Sequence, residues 1–106
     1  MNDDIELSPD ARVELNDGNR MPLIGLGTWG LRGETCYRAV REALDIGYRL
    51  IDTAPLYHNE EEIGRALRDS GIDRDEVFLT TKVGTSDMGY ESAIRACQDS
   101  LGRLGV

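Results

Sequence analysis

The sequence predicts an α/β protein whose parallel strands form part of a (β/α)8 barrel of the TIM type. Three observations carry this. Short apolar runs ending in polar residues alternate with stretches of helical period, in the order hairpin, then β-α-β-α-β-α. Two of the helical stretches stop on glycines, Gly47 and Gly71, and a new strand follows each. Three βα units in 106 residues are too few to close a barrel of eight, which takes about 250 residues. The chain is therefore expected to be the first two-fifths or so of a larger barrel, with an open edge and an uncovered apolar face.

The elements are justified in order. Residues 1–12 are expected to be a flexible tail on a single partial barrel domain spanning 1–106. Val13–Leu15 and Met21–Ile24 flank Asn16-Asp17-Gly18-Asn19, a hairpin signal. Pro22 confines the second arm to an edge or terminal position. Leu23–Leu26 is predicted as a short buried strand running into Gly27-Thr28-Trp29-Gly30. From Glu34, the residues Ala39, Val40, Ala43 and Leu44 mark an amphipathic helix that Gly47 ends. Tyr48–Asp52 is the next strand. Glu60–Ser70 is a helix with Ile63, Ala66 and Leu67 on one face, and Gly71 ends it. Val77–Lys82 is a strand, and Tyr90–Leu104 a helix with Ala93, Ile94, Cys97 and Leu101 on its apolar face. Parallel strands joined by helices imply right-handed crossovers.

Composition narrows the partners. The net charge of −8 argues against a nucleic-acid or anionic-membrane surface, which needs a basic patch. No run of about 18 apolar residues is present, and the acidic N-terminus lacks the apolar core of a secretory signal. Cys36 and Cys97 fall inside predicted helices without a second ligand at metal spacing, so both are read as apolar fillers in a reducing cytoplasm, with no metal. The acidic, arginine-rich balance fits either a high-salt cytoplasm or a GC-rich genome.

Chemistry concentrates at the strand ends. Asp52 closes one predicted strand, Tyr57 lies in the following loop, and Lys82 closes the next strand. Lys82 is the only lysine; the other eleven basic side chains are arginines. An ammonium is a compact donor whose pKa responds to burial, whereas a guanidinium stays charged. In βα barrels and open α/β sheets alike, ligands bind at the C-terminal ends of the strands. A carboxylate, a phenol and an ammonium meeting there suit proton transfer, because a nearby ammonium makes a phenol a better acid. On spacing alone, an ordinary Asp–Lys ion pair beside a packed tyrosine stands equally. Glu60-Glu61-Glu62 suits the positive end of a helix, with Asn59 as its N-cap. Gly25–Gly30 spells GxGxxG, and Asp52 ends the next strand, as in a dinucleotide-binding fold. Against that reading, helical periodicity begins only near Glu34, so no helix opens within the glycines.

The blocks GNRMPLIGLGTWGL, AVREALDIGYRLIDTAPLYHNEEEIGRAL and FLTTKV closely resemble the N-terminal part of the aldo-keto reductases, from about Val13 onward. The resemblance implies a (β/α)8 barrel plugged at its base by the hairpin. It also implies NADPH-dependent reduction of aldehydes and ketones. By the match, Tyr57 protonates the carbonyl oxygen, Lys82 makes Tyr57 a better acid, and Asp52 holds Lys82. Gly27, Thr28 and Asp52 fall at cofactor positions, and Trp29, Tyr57 and the rim residue His58 at the substrate pocket. The family's fourth catalytic position, a histidine at the end of strand four, and its phosphate-binding basic residues are expected beyond Val106. The partner is then a small carbonyl substrate, with no nucleic acid or membrane. Two alternatives stay open: a non-catalytic remnant or module that self-associates through the open barrel edge, and a dinucleotide-binding half-domain without the reductase chemistry.

Overall fold

The computed structural model describes residues 8–106. Of the expected tail, residues 1–7 lie outside the described residues. Ala11 and Arg12, assigned to that tail from the sequence, belong instead to the hairpin. Strand β1 (Arg12–Glu14) pairs antiparallel with β2 (Arg20–Pro22), in the register Val13 opposite Met21. The Ala11 carbonyl accepts from the Leu23 amide at 3.0 Å. The turn forms where Asp17-Gly18 predicts it, and the Asp17 carboxylate accepts from the Asn19 amide at 2.9 Å. Pro22 is the last residue of β2, where its missing N–H costs no ladder bond.

The second sheet is parallel, in the order β3 (Leu26–Gly27), β4 (Leu50–Asp52), β5 (Phe78–Thr80). Gly27 pairs with Asp52, and Asp52 with Thr80. Three helices connect and flank it: α1 (Gly33–Asp45), α2 (Glu60–Ser70) and α3 (Tyr90–Leu104). Gly47 and Gly71 follow α1 and α2 at positive φ, as helix stops do. The strand predicted over Leu23–Leu26 is displaced: only Leu26 and Gly27 pair, and Leu23 and Ile24 are exposed. All three parallel strands are also shorter than their apolar runs, since pairing lasts only while neighbouring strands run side by side.

Alternation across β4 sends Ile51 to the helix side and Leu50 and Asp52 to the other. Ile51 is completely buried among Cys36, Val40 and Leu44 of α1, Ile63, Ala66 and Leu67 of α2, Val77, and Leu104 of α3. Each large side chain buried there contributes about 1.5–3 kcal/mol. Cys36 is the small core filler expected; Cys97 is exposed and is not. The apolar face predicted for α3 is not its packed face either. Ile94, Cys97 and Leu101 face outward among the described residues, while Ser100 and Leu104 are buried.

The α2–α3 contact depends on a missing side chain. A Cβ added at Gly64 would run into the backbone oxygen of Leu104, a clash relieved only by moving the end of α3. Alanine is worth about 1 kcal/mol more than glycine in a helix interior. Overpacking costs about 1–3 kcal/mol. Gly64→Ala is therefore expected to lower the urea midpoint, and a raised midpoint would show that α3 yields freely.

Candidate functional site

Asp52 and Lys82 are brought together because adjacent parallel strands end side by side. The Lys82 ammonium donates to Asp52 Oδ2 at 2.9 Å and Oδ1 at 3.1 Å, and to the Thr53 carbonyl at 3.0 Å. The Thr80 hydroxyl donates to Asp52 Oδ1 as well. Tyr57, in the short 3₁₀ turn Pro55–Tyr57, presents its ring to the ammonium, with Nζ 5.2 Å from the ring centroid. Asp52 and Lys82 remain 41% and 48% exposed at their side chains, so the pair forms the floor of an open mouth.

Burial by itself pushes the Asp52 carboxyl up. The Thr80 hydroxyl and the Lys82 ammonium outweigh it, and the net shift is downward from 3.8. For Lys82, burial pushes down, while the Asp52 carboxylate and then the Tyr57 oxygen favour the charged form, and the net shift is upward from 10.5. Asp52 therefore contributes stability above its unfolded pKa, lost as pH falls through the lowered folded value. Lys82 contributes below 10.5, and that contribution fades as pH rises through the raised folded value. Because the pair is nearly half exposed, its contribution is about 1 kcal/mol or less. Lys82→Met is expected to remove part of the alkaline loss of stability seen in urea unfolding above about pH 10. An alkaline limb identical in parent and variant would mean that the pair adds nothing.

Other predicted residues are placed as follows. Gly27 is exposed and pairs with Asp52; a Cβ added there meets no atom within 4 Å. Thr28 is wholly buried, and its hydroxyl donates inward to the Asp52 carbonyl at 2.9 Å. Its polar group is thus engaged by the protein, and it serves the site as a strut. Trp29 is 79% exposed. His58 is exposed, at φ 56°, and lines a groove of about 460 Å³ with Pro55, Glu60, Glu61, Glu62 and Arg103. Asp52, Tyr57 and Lys82 are not in that wall.

Sequence reasoning missed the polar residues behind the mouth. Asn59 occupies the N-cap position of α2 but makes no side-chain cap. Its amide is fully buried and bonds to Thr53, Thr28 and Leu31. Glu60, expected only as a first-turn charge at the positive end of α2, is 2% exposed; it accepts from Arg103 Nε at 2.8 Å and the Thr81 hydroxyl at 2.8 Å. Thr80 had a signal available: it stands two residues before Lys82, and an extended chain puts residues two apart on one face.

The face at Gly27 has no side chain and lies beside the Asp52–Lys82 pair, which leaves room for a flat group.

The family model described as "Aldo/keto reductase family" matches residues 23–106. Morphine 6-dehydrogenase of Pseudomonas putida is 49% identical over 94 residues, 89% of this chain and 32% of that protein. An aldo/keto reductase crystal structure from Brucella melitensis is 50% identical with a TM-score of 0.85, covering 90% of this chain and 37% of that one. The Bombyx mori aldo-keto reductase, solved in complex with NADP, is 34% identical with a TM-score of 0.85, covering 94% and 36%. The chain thus spans about a third of the length of the relatives it matches. The shared architecture is the (β/α)8 barrel, of which these residues form an open arc. The GxGxxG alternative falls with this match and with α1, which opens at Gly33, after the last glycine of the motif.

Proposed function

The chain belongs to the aldo/keto reductase family, and on that premise we propose that its site takes part in NADPH-dependent reduction of a small aldehyde or ketone to the alcohol. The observation that carries this reading is the Lys82 ammonium held between Asp52 and the face of Tyr57 at the ends of adjacent parallel strands.

A reduced nicotinamide, when bound beside Gly27, would supply the hydride that the carbonyl carbon needs. Tyr57 gives its phenolic proton to the carbonyl oxygen as negative charge gathers there. Lys82 stabilises the charge left on the Tyr57 oxygen, and Asp52 fixes the direction of the ammonium. Gly27 leaves the cofactor ring room to approach, and Trp29 forms a wall for the substrate. The NADP-bound Bombyx mori relative supports NADPH as the cofactor.

The test follows the loss of NADPH absorbance by the full-length protein against a panel of aldehydes and ketones. Turnover that requires both NADPH and a carbonyl supports the reading; a panel without turnover sinks it. One observation favours a second reading, a module that self-associates through the open barrel edge, where α3 lies. Ile94 and Leu101 present an apolar stripe 45% and 44% exposed on α3. A discrete oligomer that dissociates on dilution supports that reading, and a monomer removes it.

A further inference from the structure

We propose that Asn59 is the positioning residue of this site: its amide holds the turn carrying Trp29 in register with the Asp52–Lys82 pair. The proposal rests on the carbonyl-reduction reading for its catalytic consequence, but not for its geometry.

Thr28-Trp29-Gly30-Leu31 is a single turn. The Leu31 amide donates to the Thr28 carbonyl at 3.1 Å, and Gly30 takes φ 82°, the left-handed value a glycine accepts at a turn's third position. With its indole 79% exposed, Trp29 takes little of its orientation from side-chain packing. What directs it is the turn itself, and Asn59 closes that turn at both ends. Its Nδ2 donates to the Thr28 carbonyl at 2.9 Å and to the Leu31 carbonyl at 3.0 Å. On its other side, Asn59 Oδ1 accepts from the Thr53 hydroxyl at 2.7 Å. Thr53 in turn offers its carbonyl to the Lys82 ammonium at 3.0 Å. Thr53 thus links the two sides, its backbone carbonyl bonded to the lysine and its hydroxyl to Asn59, whose amide holds the residues that flank the Trp29 turn.

Only a carboxamide suits this position, because it must accept on one side and donate twice on the other. Aspartate has the same shape but would set oxygen against two carbonyl oxygens. Thr28, Thr53 and Asn59 are all completely buried, so water does not replace a lost partner cheaply.

Trp29 is the only tryptophan of the 106 residues, so tryptophan emission, excited beyond the tyrosine band, reports on that turn alone. Asn59→Asp is expected to increase acrylamide quenching of Trp29 and lower its anisotropy. Gly64→Ala, which strains the α2–α3 contact, is expected to leave both unchanged below its melting transition. In turnover assays of the full-length protein, Asn59→Asp is expected to lower kcat/KM roughly tenfold to a hundredfold, the effect of a displacement of about 1 Å. KM for the carbonyl should rise more than KM for NADPH. A folded Asn59→Asp chain whose Trp29 is as restrained as in the parent overturns the proposal. If that variant does not fold, Thr53→Val removes the hydroxyl that anchors Asn59, and Trp29 must again loosen or the proposal fails. A parent without carbonyl turnover would defeat the reductase reading while the fluorescence result still decides the geometry.

Discussion

Tyr57→Phe is expected to lower carbonyl turnover roughly a hundredfold to ten-thousandfold, the range a positioned general acid contributes. NADPH affinity should stay largely unchanged. The change removes one oxygen and nothing else from the ring that faces Lys82, 5.2 Å from its Nζ. The ring–ammonium contact and the Asp52–Lys82 bonds should survive, because neither uses the phenolic oxygen. The loss should therefore appear in kcat and kcat/KM together, the pattern of an interaction made only in the transition state. A Phe variant that turns over like the parent removes Tyr57 from the role of proton donor and directs attention to a bound water or a side chain elsewhere in the barrel.

Glu60→Ala is expected to cost about 2–3 kcal/mol in urea unfolding. An exposed helix charge in the first turn would cost less than about 1 kcal/mol. The difference comes from burial. The Glu60 side chain is 1% exposed, and it joins α2 to Arg103 of α3 and to Thr81, the neighbour of Lys82. Removing it leaves a guanidinium and a hydroxyl without their acceptor. Arg103, at 38% exposure, recovers part of the loss from water, which keeps the cost below that of breaking a fully buried pair. A loss under about 1 kcal/mol would mean that the α2–α3 clamp is carried by Gly64 and Leu104 instead.

The contrast between these residues shows what was legible beforehand. Helices α2 and α3 begin and end where apolar period and, for α2, Gly71 place them, because those signals are local. Asp52 and Lys82 were legible as a pair because strand ends in a parallel sheet must neighbour one another. Asn59 and Glu60 were not. A polar residue at the start of a helix looks the same whether it bonds to its own helix or reaches back into the sheet. Which of these occurs depends on Thr28, Thr53, Thr81 and Arg103, between 6 and 43 residues away. The apolar stripe of α3 was legible as a stripe, but its place relative to α2 was not. Periodicity identifies an apolar face and is silent about what lies opposite. Thr28 matched a cofactor position by motif, and only the structure shows its hydroxyl committed to Asp52.

The solitary lysine has a practical consequence. In this chain, the amines open to acylating or alkylating reagents reduce to the N-terminus and Lys82. Reductive methylation with isotope-labelled formaldehyde would thus place one side-chain reporter at the strand ends beside Asp52. Its resonance would follow ionisation and the approach of ligands without any engineered tag. Because the guanidinium-rich surface is inert to that reagent, the label would mark the one cation that faces Tyr57.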